Sequence, residues 1–263
     1  MRFLKELFLH RLRDIDAALR SNTKTQLIKY VILRQALKLI GIKEEYFSHY
    51  IPSSISSLYG YKFFTRKNTL DFLFVSKYYE PDTTKFIREL NGEIFFDIGA
   101  HIGRYSILCS KNFKKIYSFE PESDNFRILK LNIRLNNLRN VFPINVAISN
   151  KNGYQYILRP GINTGVACVN EREGIPVKTI KLDDFVRKNK IKESAIRIIK
   201  IDVEKSERKV IEGMKRILIR GNPILIVEGS LEMIRYLSNY GYKCKKLLDK
   251  NNYLFAKEYQ CLE

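Results

Sequence analysis

The chain has 263 residues, of which 45% are hydrophobic, enough for one substantial core with an appendage. Lysine and arginine outnumber aspartate and glutamate by 47 to 28, and the net charge of +19 favours anionic partners such as nucleic acid, acidic glycans or lipid surfaces. No stretch reaches 18 apolar residues and the start is charged throughout, so we expect neither a membrane span nor a signal peptide. A structural zinc site is not expected, because the chain has only three histidines and no C-x-x-C spacing among its four cysteines. We expect a reduced, cytoplasmic protein. The cysteines are Cys109, Cys168, Cys244 and Cys261.

Residues 1–78 are predicted to form a helical and aromatic N-terminal extension. Apolar residues recur at helical spacing in two stretches within residues 1–45, and Ser21-Asn22-Thr23 separates them. We expect these helices to cap the remaining domain; a basic amphipathic surface that touches a membrane and a dimer contact are the alternatives. Residues 51–57 are predicted to be a loop, and residues 61–65 and 69–75 to be short strands.

Residues 79–263 are predicted to form an α/β domain with a doubly wound, mostly parallel sheet, because strand and helix patterns alternate there. A short helix is expected to reach Leu90 before the first strand. The predicted strands are 94–98, 115–119, 141–148, 196–202 and 223–228, with a closing pair at 242–247 and 253–257. The predicted helices are 103–111, 122–137, 205–219 and 231–239. Residues 153–182 interrupt the alternation and are expected to be a β-rich excursion over the carboxyl edge of the sheet.

The first predicted strand of this domain ends in a glycine turn with the pattern D-x-G-x-x-x-G. Asp97 ends the strand, and Gly99 and Gly103 follow it. A dinucleotide site would need a second glycine where this chain has His101, whose Cβ would obstruct a diphosphate. An acid and one close glycine suit a ligand with a charged amine and no phosphate, such as S-adenosylmethionine. A turn that uses its glycines for packing alone is the alternative.

A second acid, Glu120, follows the next strand pattern and precedes Pro121. An acid about 20 residues after the glycine turn, at the end of the next strand, is placed to accept hydrogen bonds from both hydroxyls of a ribose. Proline is tolerated where a helix begins, because its missing N–H has no partner there. The two strand-end acids together therefore predict a nucleoside site.

Three further carboxylates are predicted at neighbouring strand ends, where an acceptor and a methyl donor would meet. Asp202 and Glu204 follow the apolar strand at 196–201, and Glu228 ends the next one. They could act as a base, hold the donor's amine or chelate Mg²⁺, whereas each alone could be a helix-capping charge. His101 is a fourth candidate base, or only a residue that lines the turn.

Five motifs in this order resemble the FkbM family of S-adenosylmethionine-dependent methyltransferases. The resemblance runs from about residue 79 to about residue 257. The motifs are Phe-Asp-Ile-Gly-Ala-His-Ile-Gly-Arg-Tyr-Ser (96–106), Ser-Phe-Glu-Pro (118–121), Asn-Val-Ala-Ile-Ser (145–149), Ile-Lys-Ile-Asp-Val-Glu (199–204) and Ile-Val-Glu-Gly (226–229).

This resemblance implies a Rossmann-like class I methyltransferase domain that methylates hydroxyls of sugars, polyketides or other small molecules. It also implies that the edge at Ala147 and Ile148 packs on the adenine and that an Asn-x-Gly element, here 163–165, lies near the ligand. Many family members carry glycine where this chain has Lys205, and that difference bears on the turn after Asp202. The complete predicted donor-binding set is Asp97, Gly99, Ala100, Gly103, Glu120, Pro121, Ala147, Ile148 and Asp202.

We therefore predict an O-methyltransferase that uses S-adenosylmethionine, with no resident metal and a hydroxyl on a sugar, a glycan or a similar small molecule as its acceptor. An RNA methyltransferase is the first alternative. The net charge favours it, but the sequence contains no recognisable RNA-binding module. An NAD-dependent oxidoreductase and a catalytically inactive binding protein are the others. The expected location is cytoplasmic, with peripheral membrane contact through residues 1–45 as an option.

Overall fold

A computed structural model describes residues 2–158, 161–166, 168–170, 173–229, 232–249 and 251–257. Within these ranges, no helix combines the length and the apolar character that crossing a bilayer requires. Pro160 and Leu231, which the sequence analysis assigned to the excursion and to a helix, lie outside the described residues.

The N-terminal extension consists of two helices, a β-hairpin and two short 3-10 helices. Its buried apolar residues form a separate small core, in which the two helices pack against Phe47, Ile51 and Phe72. The elements are α1 (Arg2–Leu19), α2 (Lys24–Leu39), a 3-10 helix (Glu44–Tyr50), strands β1 (Ser54–Leu58) and β2 (Tyr61–Thr65), and a second 3-10 helix (Asp71–Phe74).

Two predictions for this extension are wrong. Residues 51–57 were expected to be a loop, but β1 pairs antiparallel with β2, and two of its serines are buried, with hydroxyl contacts such as Ser54 to Thr65 at 2.7 Å. Residues 69–75 were expected to be a strand, but they include the second 3-10 helix, where Asp71 is fully buried. Serine-rich segments have weak strand propensity, so tertiary pairing decides their conformation.

A seven-stranded sheet forms the centre of the remaining domain and confirms the predicted fold class. The order is β12-β13-β11-β10-β3-β4-β5; the five strands from β11 to β5 are parallel, and β12 and β13 add an antiparallel pair. These seven strands are β3 (Gly92–Ile98), β4 (Phe113–Phe119), β5 (Val141–Ile144), β10 (Ile196–Ile201), β11 (Ile224–Glu228), β12 (Tyr242–Leu248) and β13 (Asn252–Lys257).

Helices cover both faces of this sheet and bury an apolar cluster on each. The middle strands are largely buried on both faces, which explains why apolar residues dominate their sequences. The helices are α3 (Pro81–Glu89), α4 (Arg104–Leu108), α5 (Ser123–Leu135), α6 (Leu182–Lys188), α7 (Glu207–Glu212), α8 (Lys215–Arg220) and α9 (Glu232–Ser238), and 3-10 turns occur at Thr164–Val166 and Glu193–Ala195.

The excursion at residues 153–182 is β-rich, as predicted, and belongs to a second sheet with the order β6-β9-β7-β8. The predicted strand 141–148 is in fact two strands, because its first half pairs with β4 and its second half pairs with β9 in the second sheet. The strands of the second sheet are β6 (Ala147–Ile148), β7 (Gly153–Leu158), β8 (Cys168–Asn170) and β9 (Ile175–Ile180).

The predicted helix 205–219 is also divided, into α7 and α8, with Gly213 between them. At Gly213 the backbone approaches the loop that follows β6 so closely that a Cβ would lie 2.1 Å from the carbonyl oxygen of Ser149. A glycine is needed for that approach, and the helix is interrupted there.

Candidate functional site

A cavity of about 380 Å³ opens at the carboxyl ends of the parallel strands β3, β4, β10 and β11. This is the edge at which open α/β sheets bind their ligands. Its wall combines three parts of the chain: the strand ends, the excursion at Asn163 to Gly165, and the N-terminal extension, which contributes Arg13, Arg34 and Phe74. The extension therefore contributes part of the cavity wall.

The glycine turn begins at Gly99, and its geometry is set by contacts between strands. Gly99 has φ of +85°, and a Cβ there would lie 1.8 Å from the carbonyl oxygen of Asp202. The N–H groups of Gly99 and Ala100 both donate to the carbonyl of Phe119, at 2.9 and 3.0 Å. Gly99 and Ala100 line the cavity, but glycine is required at position 99 by the backbone of the neighbouring strand.

Two residues of the predicted donor-binding set lie behind the cavity wall. Asp97 is fully buried, and its carboxylate accepts hydrogen bonds from the N–H and the hydroxyl of Ser106, at 3.0 and 2.5 Å. It thereby holds the first turn of α4. At Gly103 a Cβ would meet Leu129 at 2.6 Å, so this glycine serves helix packing. Neither residue is part of the cavity lining.

Glu120 lies at the end of β4 and lines the cavity. Its Oε2 accepts from the backbone N–H of His101 at 2.8 Å, and its Oε1 accepts from that of Glu122 at 2.9 Å. Burial raises the pKa of Glu120 to about 7, although these two hydrogen bonds act in the opposite direction. Each carboxylate oxygen can accept a further hydrogen bond. Glu120 thus offers two oriented acceptors to a ligand.

The wall next to Glu120 is apolar. Pro121, Phe119, Ala147 and Ile148 line this side, and Ala147 and Ile148 reach it because β6 leaves the central sheet there. A flat aromatic base would find apolar surface here beside two hydrogen-bond acceptors. All residues of the predicted donor-binding set except Asp97 and Gly103 therefore line this one cavity.

Asp202, Glu204 and Glu228 come together as the sequence analysis expected, with one carboxylate oxygen from each within 4.8 Å of the others. Glu228 donates a hydrogen bond to Asp202, and this bond together with burial raises the pKa of Glu228 to about 9. Burial also raises the pKa of Glu204. The cluster therefore holds a proton at neutral pH. Its oxygens suit a divalent cation by spacing, although a lysine ammonium already lies against Asp202.

That ammonium belongs to Lys200, which the sequence analysis did not select. Its Nζ donates to Asp202 at 2.6 Å and lies 4.7 Å from the centre of the Tyr105 ring. Burial opposes the charge, but Asp202, Glu80 and Asp97 raise the pKa of Lys200 above its ordinary value. The same ammonium keeps the pKa of Asp202 low despite burial. The available signal was a lysine between two isoleucines in a central strand.

His101 lines the cavity between the glycine turn and the excursion. Its Nε2 is 2.8 Å from the hydroxyl of Thr164, and that hydroxyl donates to Asp71 at 2.7 Å. Arg66 binds Asp71 with two nitrogens, at 2.6 and 2.9 Å. Asp71 and Arg66 were not predicted as site residues, and Thr164 was indicated only as part of the 163–165 element. Their sequences give no indication that these segments meet.

Arg104 connects the extension to the site. Its guanidinium donates to the carbonyls of Phe74 and Tyr79 and to the hydroxyl of Thr84. Among the described residues, its Nε is buried without a partner. Arg104 therefore fixes the backbone that carries Phe74 and Tyr79, both of which line the cavity.

Comparison with known proteins finds one matching family model, the methyltransferase FkbM domain, over residues 97–244. A curated relative, the hexuronic acid methyltransferase AglP of Haloferax volcanii, is 26% identical over 151 residues. That match covers 56% of this chain and 61% of the relative, so the chain spans less than two thirds of the relative's length.

Two solved structures are similar at lower identity. A methyltransferase FkbM from Methylobacillus flagellatus is 17% identical, with a TM-score of 0.45, over 63% of this chain and 43% of that chain. A tRNA (uracil-54, C5)-methyltransferase from Pyrococcus abyssi, in complex with S-adenosyl-L-homocysteine, is 11% identical, with a TM-score of 0.48, over 78% and 43%.

Proposed function

We propose a function from the premise that this chain belongs to the methyltransferase FkbM domain family, whose model matches more than half of its residues. The proposed activity is the transfer of a methyl group from S-adenosylmethionine to a hydroxyl of a sugar. The observation that carries the proposal is Glu120, a buried strand-end carboxylate that presents two acceptors to the cavity beside an apolar wall.

The residues of the cavity fit this donor in three places. Glu120 would accept hydrogen bonds from the two ribose hydroxyls, and Ala147 and Ile148 would contact the adenine. The carboxylates around Asp202 would hold the donor's ammonium group, since they carry excess negative charge despite Lys200. When bound, S-adenosylmethionine supplies a methyl group that is already activated by its positive sulfur. The protein therefore acts mainly by orienting two reactants and managing one proton.

The proposed acceptor is a sugar that bears a carboxylate. Arg13 and Arg34 of the extension line the cavity. They form ion pairs with Asp14 and Glu44, and Lys38 joins them, so the cluster holds three cations and two anions. An arginine guanidinium matches a carboxylate in geometry as well as charge. The name of the Haloferax relative, a hexuronic acid methyltransferase, supports the same acceptor class.

Radiolabelled donor tests the proposal directly. The protein is incubated with labelled S-adenosylmethionine and either glucuronic acid conjugates, the matching neutral glucose conjugates, or total RNA. We expect label in the uronic acid conjugates, on a hydroxyl oxygen. Label in RNA alone would show that the acceptor is nucleic acid rather than a sugar. NAD-dependent oxidation of the conjugates without methylation would overturn the proposed reaction.

The acceptor class has its own pair of variants. Arg13→Gln should raise KM for the uronic acid at least about tenfold, since a lost charge-assisted contact is worth about 1.5–3 kcal/mol. Arg11→Gln is the matched control, because Arg11 is exposed on the same helix and is not part of the cavity wall. Equal KM values for the two variants would show that Arg13 does not bind the acceptor.

The proposal also includes peripheral membrane contact through the extension. Leu39 and Ile40 are 83% and 71% exposed at the end of α2, close to Lys38 and Lys43. Exposed apolar residues flanked by lysines suit an anionic lipid surface. Replacing both apolar residues with glutamate should abolish sedimentation with anionic liposomes. Ile219→Glu, at another exposed position, is the control, and unchanged sedimentation of the double variant would contradict the membrane contact.

A further inference from the structure

The hydrogen bonds around His101 determine which of its ring nitrogens carries a proton. Asp71 is fully buried, and its pKa stays low because Arg66 and its other partners outweigh burial, so this carboxylate accepts hydrogen bonds and donates none. Its Oδ1 is 2.7 Å from the hydroxyl oxygen of Thr164. Only the threonine proton can occupy that contact.

The threonine hydroxyl has one proton, so it must act as an acceptor in its second contact. That contact is the 2.8 Å approach to Nε2 of His101. Nε2 must therefore carry a hydrogen, because otherwise two lone pairs would face each other at hydrogen-bond distance. The backbone at Thr164 is also held in place, since Asn125 donates to its carbonyl oxygen at 3.1 Å and accepts from Arg66 at 2.7 Å.

Burial lowers the pKa of His101 to about 4, and Asp71 only partly offsets that effect. The ring is therefore neutral at physiological pH, with its single hydrogen on Nε2 and a lone pair on Nδ1. Among the described residues, no hydrogen bond to Nδ1 is found, and this atom is not one of the buried polar atoms that lack a partner. The side chain is 15% exposed and lines the cavity, so Nδ1 is accessible from it.

The backbone of His101 also holds the ring in place. Its φ of +51° is unusual for a side-chain-bearing residue, and its N–H is fixed by Glu120 at 2.8 Å. Phe74 packs edge-on against the ring at 4.7 Å between centroids. The ring is thus fixed by the strand-end carboxylate, by an aromatic residue of the extension and by the Thr164 hydroxyl.

Two carboxylates of the cluster are unsuited to act as the base. Asp202 is paired with Lys200 and keeps a low pKa, and Glu228 already carries a proton at neutral pH. Both oxygens of Glu120 already accept from backbone N–H groups, which leaves Glu204 as the carboxylate that competes with His101. A hydroxyl becomes strongly acidic as its oxygen forms a bond to an incoming methyl group, so a neutral imidazole is a sufficient base even with a low pKa.

From this geometry we propose that His101 is the catalytic base, and that Asp71 and Thr164 are positioning residues that lock its Nε2–H tautomer. The proton of the acceptor hydroxyl moves to Nδ1 as the oxygen is methylated. The resulting imidazolium is stabilised through Thr164 by the buried charge of Asp71. This inference rests on the proposed methyl transfer for its substrate, whereas the tautomer lock is a property of the protein alone.

Nitrogen NMR of the protein without ligands tests the lock independently of any activity. The chain has only three histidines, and His101→Gln assigns the signals of the third. Long-range ¹H–¹⁵N correlations at about pH 7.5 should show His101 as the Nε2–H tautomer alone. The charged groups that act on the ring, and whose ionisation would affect its titration, are Asp71, Arg66, Asp202 and Glu122. An Nδ1–H tautomer or an imidazolium in the wild type would overturn the proposal.

Variants of Thr164 link the lock to the reaction. Thr164→Val keeps the shape but removes the hydroxyl, and should produce a mixture of tautomers and an at least about tenfold lower kcat, with unchanged affinity for S-adenosylhomocysteine. Thr164→Ser should restore both the tautomer and most of the turnover. His101→Gln should lower kcat about 10²-fold or more. Full turnover of His101→Gln would show that His101 is not the catalytic base. Absence of methyl transfer by the wild type would refute the proposed function, but the NMR result would still hold.

Discussion

At the scale of single residues, Glu120 makes the site sensitive to pH. In its proposed role it would accept fully from two ribose hydroxyls only when ionised, and burial raises its pKa to about 7. The carboxylate is ionised above that pH, so donor affinity should be highest at about pH 8 and should fall on acidification, by up to about tenfold per pH unit below 7.

Titration calorimetry with S-adenosylhomocysteine between about pH 5.5 and 8.5 measures this dependence. Glu120→Gln is the control, because it keeps the shape without an ionisable group and should bind weakly at every pH. A wild-type affinity that does not change across this range would show that the ionisation of Glu120 does not matter for binding.

Lys205 is a second residue that yields a prediction, because its backbone conformation should lower the stability of the fold by a measurable amount. Its φ of +70° follows the φ of +48° at Glu204, so two side-chain-bearing residues in succession adopt left-handed backbone. This turn keeps a conformation that suits the glycine of many family members, although the chain has lysine there. Because that conformation costs a residue with a Cβ about 1–2 kcal/mol, and glycine loses about 0.5–1 kcal/mol through its flexibility, Lys205→Gly should stabilise the protein by about 0.5–1 kcal/mol.

Urea denaturation of Lys205→Gly and Lys205→Ala separates backbone strain from charge. Both variants remove the ammonium, but alanine keeps the Cβ and should give no comparable gain. Equal stabilisation by the two would attribute the effect to the charge.

The sequence predicted those cavity residues whose signals are local. Gly99 and Glu120 stand in fixed positions relative to apolar strands, so a short stretch of sequence places them at the strand ends. Asp71 and Thr164 are 93 positions apart, and their meeting depends on how the extension and the excursion pack. The sequence also could not distinguish a residue on the cavity wall from one behind it, as Asp97 shows.

At the scale of elements, the central strands were predictable because they are buried on both faces and have continuous apolar sequences. The divided helix at residues 205–219 was not, because the division depends on the contact between Gly213 and Ser149 from another part of the chain. Strand β1 was missed for a similar reason, since its serines are satisfied only by their partner strand.

The divided helix yields a stability prediction. Gly213→Ala should destabilise the protein by about 1–3 kcal/mol, because the new Cβ would lie 2.1 Å from a backbone oxygen that has little room to move. Gly229→Ala is the matched control, since the nearest atoms to its Cβ would be side-chain carbons at 3.8 and 3.9 Å. Urea denaturation compares them, and equal stability of the two variants would show that the chain relaxes around residue 213.

At the scale of the whole molecule, one cavity joins the parallel sheet to the extension. The sheet supplies acids at its strand ends, and the extension supplies Arg13, Arg34 and the aromatic residue Phe74. The net charge of +19 therefore does not make the cavity uniformly basic, because its lining includes Glu120, Asp202, Glu204 and Glu228 as well as Arg13 and Arg34. In the proposed function, the acids would face the cationic donor and the arginines the acceptor.

The central claim is that the cavity binds S-adenosylmethionine through Glu120, and calorimetry with S-adenosylhomocysteine and NAD at about pH 8 tests it most directly. The account predicts that the wild type binds S-adenosylhomocysteine and not NAD. It also predicts that Glu120→Ala, checked for an unchanged far-UV spectrum, weakens binding at least tenfold, because two charge-assisted hydrogen bonds of about 1.5–3 kcal/mol each are lost. Binding of NAD in place of S-adenosylhomocysteine, or wild-type affinity in the folded Glu120→Ala variant, would contradict it.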